Sequence, residues 1–261
     1  MKKELCDAFI SLVQIMERLR APDGCPWDAK QNEDTIKMYL LEEAYEVVDA
    51  VDKKEPEMIC EELGDLLFQI IFLAQLAKEK GNFTILDVIE RVRDKMIRRH
   101  PHVFGDLKVS SAEEVAENWA KIKMQEKKVK SEDFFESIPS SLPALIKAHR
   151  VSERAAKVGF DWKNRDEIWN KVKEEFLELK DAIEQRDEKK VKEEIGDLIF
   201  SLVNLARHWG FNAEYILRDT NRKFMKRFTK MLHELEKKGL HIEDATLEQM
   251  DKVWEKIKKD V

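Results

Sequence analysis

Residues 172–202, VKEEFLELKDAIEQRDEKKVKEEIGDLIFSL, decide the fold. Their apolar positions recur at steps of three and four, the period of a helix that turns one face inward. A break around Asp187 divides the stretch into two helices, which so short a turn makes antiparallel neighbours. Glu175 and Glu178 stand three residues apart on the first arm, Glu194 and Asp197 three apart on the second, so each pair shares a helix face. Counted outward from the turn, Glu178 and Glu194 lie at comparable distances, which lets the four carboxylates converge at one level.

The same pattern occurs 132 positions earlier, in LLEEAYEVVDAVDKKEPEMICEELGDLLFQI at 40–70. Glu42, Glu43, Glu46, Glu61, Glu62, Gly64 and Asp65 fall on Glu174, Glu175, Glu178, Glu193, Glu194, Gly196 and Asp197 without a gap. Small changes of offset extend the match: Glu17-Arg18 to Glu153-Arg154, Lys95 and Arg99 to Lys223 and Arg227, and WAKIK (119–123) to WEKIK (254–258). Self-similarity of this kind means two copies of one unit. Between them KSEDFFESIPSSLPAL (130–145) has a linker's composition, and the boundary is placed near Ser137, giving domains 1–136 and 137–261. The expected fold is all-α: tandem helical repeats forming four-helix-bundle cores, shared across a dimer. The predicted helices are 6–20, 33–53, 57–79, 84–99 and 112–127, then 141–157, 165–186, 188–209, 212–236 and 246–259.

Composition agrees. The 261 residues suffice for two ordinary domains, and only 8 Gly and 6 Pro accompany 38% charged residues. With 47 basic and 53 acidic side chains the net charge of -6 does not favour a nucleic-acid partner. The apolar run in MKKELCDAFISLVQ is too short for a signal peptide, and no stretch reaches the ~20 apolar residues of a membrane span. Cys6, Cys25 and Cys60 form no close pair, so free thiols in the cytoplasm are expected.

Charge runs on helices are usually solvated, and that reading competes with a metal site. Against it, Glu62-Asp65 and Glu194-Asp197 are flanked by core-type residues rather than lysines. Four gathered anions repel by several kcal/mol unless a cation offsets them, and hard oxygen ligands select Mg²⁺ or Mn²⁺. Gly64 and Gly196, inside helices at a cost of ~1 kcal/mol, are expected to admit another backbone or a ligand. No Glu-x-x-His follows the acids, which disfavours a di-iron site. His100 and His102 beside Pro101 suit capping, Cys25 lacks a partnered base, and no G-x-x-x-x-G-K loop is present.

The E-E-x-x-E, fifteen residues, E-x-x-D spacing resembles the all-α nucleoside triphosphate pyrophosphohydrolase superfamily. GCPWD (24–28), EELGDLLFQIIF (61–72), RRHPHVFGD (98–106), LPAL (142–145) and KVGFDW (157–162) resemble its two-domain MazG branch along nearly the whole length. Dimeric dUTPases and phosphoribosyl-ATP pyrophosphohydrolases share the carboxylate spacing. The resemblance implies Mg²⁺-dependent hydrolysis of nucleoside triphosphates to monophosphate and pyrophosphate, with broad base tolerance, in a homodimer whose subunits share helical bundles. It implies metal ligation by Glu175, Glu178, Glu194 and Asp197, with counterparts Glu43, Glu46, Glu62 and Asp65, and makes Glu174 a candidate for orienting or deprotonating water. Nucleotide binding falls to Lys171, Lys173, Lys190, Glu193, Lys223, Arg227 and Trp254. Trp254 suits base stacking or packing, as Trp119 occupies the equivalent place. Only the second repeat surrounds its acids with lysines: Lys171 and Lys173 answer to Tyr39 and Leu41, and Lys189, Lys190 and Lys192 to Glu57, Met58 and Cys60. Turnover is therefore expected mainly in the second repeat. A specialised dUTP or ppGpp phosphohydrolase and a non-catalytic helical regulatory module are the alternatives.

Overall fold

The computed structural model describes residues 1–111, 114, 115, 118, 119, 122 and 134–259. Among the described residues the regular structure is helical, without strands, and no helix is long and apolar enough to cross a membrane. The chain divides into two compact units, Met1–Lys128 and Val129–Val261.

The first unit contains α1 (Lys2–Arg20), α2 (Pro26–Ala29), α3 (Glu33–Lys53), α4 (Pro56–Glu79), α5 (Ile85–Arg99) and α6 (Pro101–Phe104). Asn32 starts α3 with a capping box: its side chain accepts from the Asp34 and Thr35 amides at 2.9 and 3.1 Å, and Thr35 Oγ1 accepts from the Asn32 amide at 3.0 Å. The helix ends on Lys54 in the left-handed region at φ 59°. Pro56 then opens α4 where a missing N–H is tolerated. This tight reversal lays α3 along α4. Met16, Ile36, Ile71, Phe72 and Leu76 form the core beneath them. Arg20 closes one end, donating twice to Glu79 at 2.7 Å with its guanidinium 5.3 Å from the Phe72 ring centre. His100 does act locally: Nδ1 lies 2.7 Å from the Met96 carbonyl oxygen at the end of α5.

The second unit contains α7 (Ala144–Ala156), α8 (Arg165–Gln185), α9 (Glu188–His208), α10 (Ala213–Glu236), a 3₁₀ turn at Ile242–Asp244 and α11 (Leu247–Lys259). The repeat persists in its caps. Asn164, 132 positions after Asn32, accepts from the Asp166 and Glu167 amides at 3.0 Å, and Arg186, 132 after Lys54, ends α8 at φ 58°. Asp187 then caps α9 by accepting from the Lys190 amide. Helix α9 packs on α8 and α7, while α10 pairs with α11 around Met231, Leu235, Val253 and Ile257.

Two helix starts differ from expectation. Helix α1 begins at Lys2 rather than residue 6, and α7 at Ala144, behind Pro143, rather than residue 141. Most of the predicted helix 112–127, with part of WAKIK and part of the linker, lies outside the described residues. A Cβ at Gly64 or Gly196 would meet nothing within 4 Å, so among the described residues no other backbone makes the expected close approach. These glycines stand on helix faces where Leu63, Leu67, Ile195 and Ile199 are also exposed.

In the KVGFDW segment, Asp161 accepts from Arg207 Nη1 at 2.9 Å and Nη2 at 2.5 Å, and its Oδ1 lies 3.0 Å from His208 Nε2. The Arg207 hydrogen bonds hold its carboxyl at about 2, below the ordinary 3.8, against the opposing effect of burial. Because the folded value is depressed, the stabilisation is complete above the unfolded value and lost as pH falls through about 2. Allowing for partial exposure, Asp161→Asn should cost about 1–2 kcal/mol at pH 7. Urea unfolding should show that difference shrinking as pH falls from 4 towards 2.

Candidate metal centre

The turn between α8 and α9 sets the register of the second unit's acids. One carboxylate oxygen from each of Glu174, Glu175 and Glu178 on α8 lies within 4.8 Å of the others. Across the helix pair, oxygens of Glu175, Glu194 and Asp197 meet the same limit. Glu175 belongs to both groups and is 6% exposed; Glu194 is 7% exposed. Glu178 and Asp197 are open to solvent. Burial, then repulsion from Glu178, raises the Glu194 carboxyl above its ordinary 4.5; Lys190 opposes this, and Glu175 and Asp197 add to it.

The first unit repeats the arrangement with Glu43, Glu62 and Asp65 inside the same 4.8 Å limit. Glu46 stands outside that trio but shares a hydrogen bond with Glu43 and repels Glu62. Burial raises the Glu43 carboxyl, against a 3.3 Å hydrogen bond from Gln69 Nε2. Glu62 is raised by burial, then by Glu46, Asp65 and Glu61. Two sets of all-oxygen donors, with Glu43 and Glu62 in one and Glu194 in the other pushed towards the protonated form, suit a hard divalent cation. The donor sets therefore fit Mg²⁺ or Mn²⁺.

The units differ in the counter-charge. Lys171 Nζ lies 2.6 Å from Glu174 Oε1 and 2.7 Å from Glu175 Oε1, and these contacts raise its pKa above the ordinary 10.5. Its counterpart Tyr39 instead packs on the α1–α4 core. The sequence reading sent Lys171 to the nucleotide and missed this ion pair, although three- and four-residue spacing to Glu174 and Glu175 announces it. It also missed Gln69, four residues after Asp65 and so on the same face.

Of the other predicted contacts, Lys190 is half-buried and acts on Glu194, whereas Lys173 and Glu193 are exposed. Among the described residues no hydrogen bond or ion pair joins Lys223 or Arg227 of α10 to the acids; Arg227 Nε is buried without a hydrogen-bond partner. Trp254 packs on the Met231–Ile257 core, its ring centre 5.2 Å from that of Phe224, so its packing role is observed.

Comparison with known proteins meets this geometry. The model of the MazG nucleotide pyrophosphohydrolase domain matches residues 31–104 and 164–232, the two segments that carry the acidic hairpins. A nucleoside triphosphate pyrophosphohydrolase/pyrophosphatase MazG of Thermotoga maritima is 47% identical over 98% of each chain. A nucleoside triphosphate pyrophosphohydrolase of Escherichia coli K12 is 43% identical over 95% of this chain and 96% of that one. The Bacillus subtilis protein YabN, described as uncharacterized, is 42% identical over 99% of this chain and 53% of its own length. With both acidic hairpins matched by one domain model and two relatives aligned over 95% or more of both chains, the chain belongs to the MazG nucleotide pyrophosphohydrolase family.

Proposed function

We propose that the chain hydrolyses nucleoside triphosphates, ribo- and deoxyribo- alike and with broad base tolerance, to monophosphate and pyrophosphate. Glu175, Glu178, Glu194 and Asp197 hold Mg²⁺, with Mn²⁺ able to substitute; Glu43, Glu46, Glu62 and Asp65 form the corresponding site of the first repeat. The observation that carries this reading is the pairing of two nearly buried acids, Glu175 and Glu194, with Asp197 within 4.8 Å. Lys171 offsets only part of this charge from the Glu175 side, and the remainder favours a divalent cation. When bound, the divalent cation supplies positive charge against the negative charge that develops on phosphate oxygens during displacement.

The chain's own residues do the remaining work. Glu174, at the exposed edge of the acids, orients or deprotonates the attacking water once its carboxylate is released from Lys171. Lys171, Lys173, Lys190, Lys223 and Arg227 bind phosphates, Glu193 borders the nucleotide site, and Trp254 offers a ring face to the base. Catalysis resides mainly in domain 137–261. A homodimer sharing helical bundles is supported by apolar side chains that the single chain leaves exposed, among them Leu63, Leu67, Phe176, Ile195 and Ile199. Three free cysteines fit a cytoplasmic location.

A panel of ribo- and deoxyribonucleotides incubated with Mg²⁺ and resolved by chromatography tests the reaction. Monophosphate plus pyrophosphate from most members is expected. Diphosphate plus phosphate would place the cleavage at another bond, and turnover of dUTP or ppGpp alone would favour a specialised enzyme.

A further inference from the structure

We propose that Lys171 is an internal stand-in for the metal of the second repeat. Its ammonium bridges Glu174 and Glu175, and it must transfer from them to the substrate phosphates for the divalent cation to take its place. Metal and triphosphate then bind cooperatively. This rests on the proposed function and adds an order to it: the second centre is weak for metal alone and becomes strong only with nucleotide.

Three observations lead here. Glu175 is the acid common to both ligand groups of the second unit, so a cation on its carboxylate blocks the centre at its middle. The Lys171 ammonium lies within 2.7 Å of both Glu174 and Glu175, spending charge that a metal would otherwise supply. The same contact ties up Glu174, the residue proposed to act on water, until phosphate offers the ammonium another anion. The first repeat lacks the device, since Tyr39 packs into its core. A lysine suits such an exchange because its point charge sits on a flexible four-carbon stem and needs no fixed fork geometry. Reciprocal coupling follows: whatever factor the nucleotide adds to metal affinity, the metal adds to nucleotide affinity.

The test is Mn²⁺ binding, by electron paramagnetic resonance or calorimetry, to the full chain with its first centre silenced by Glu43→Gln, Glu62→Gln and Asp65→Asn. Without nucleotide, Lys171→Met should tighten Mn²⁺ binding about tenfold, while Lys171→Arg stays weak. Lys173→Met, which removes an equal charge from an exposed site two residues away, should change it less than about threefold. With a triphosphate whose α,β-bridging oxygen is replaced by methylene, the unmodified Lys171 form should gain more than about tenfold in Mn²⁺ affinity. Lys171→Met should lose most of that gain. Equal tightening by Lys171→Met and Lys173→Met would reduce the effect to a general field and overturn the proposal, as would no tightening or an undiminished nucleotide gain. Absence of Mn²⁺ binding from every form, with nucleotide present, would instead overturn the metal-dependent function itself.

Discussion

Glu194→Gln is expected to lower triphosphate hydrolysis by about 10²- to 10³-fold while raising the melting temperature of the metal-free chain. The two effects share a cause. Glu194 is nearly buried, and burial together with Glu178, Glu175 and Asp197 raises its carboxyl above the ordinary 4.5. A folded value above the unfolded one means that the group favours folding most while protonated, below about 4.5. That contribution is lost as pH rises through the raised value. At neutral pH without metal, a neutral amide of the same size removes the penalty. With saturating Mg²⁺ the order reverses, because the parent gains stability from a ligand that the variant has lost. Melting curves in EDTA and in Mg²⁺, set beside pyrophosphate release, would show the crossing. If the variant melts lower than the parent in EDTA, repulsion among these acids is not the dominant force at the site. If hydrolysis is undiminished, Glu194 does not hold the metal.

The helices were legible because local signals agreed. In the first hairpin the apolar period gives limits of 33–53 and 57–79, and the helices run Glu33–Lys53 and Pro56–Glu79, with Asn32 capping the first and Pro56 opening the second. The expectation that four acids converge was met in part: Glu43, Glu62 and Asp65, and Glu175, Glu194 and Asp197, gather across the helix pairs, while Glu46 and Glu178 stand outside these cross-helix groups despite the equal count from the turn. Which acid of each set loses its water was not legible. Glu175 is buried while its neighbour Glu174 is exposed, a distinction set by the rotation of α8 against α9. The Lys171 ion pair was missed because its side chain has two anionic claimants, substrate and carboxylates, and only the second belongs to the chain. The two mid-helix glycines point to an open face rather than a contact, and a face left empty by one chain carries no local signal of what covers it.

The sharpest contrast is expected between Glu178→Ala and Glu46→Ala, equivalent positions in the two repeats. The first should reduce pyrophosphate release more than about 10²-fold and the second less than about threefold. Both side chains are exposed, so neither change opens a cavity, and unchanged melting would separate chemistry from folding. The acids themselves do not predict the asymmetry, since both repeats carry them. Their surroundings do. Lys171, Lys173, Lys189, Lys190 and Lys192 bring five positive charges to the second hairpin, whereas their counterparts Tyr39, Leu41, Glu57, Met58 and Cys60 bring one negative charge to the first. Under the proposed function a substrate with about four negative charges is repelled less by the second hairpin than by the first, and a partly desolvated charge at contact range is worth about 1–4 kcal/mol. Metal binding can survive in the first repeat under those conditions, because the cation answers to the acids alone. Under the proposed function productive binding of the triphosphate should not, because it is expected to need metal and flanking cations together. Equal losses from the two variants would mean that the lysines are solvated ornament and that both centres turn over.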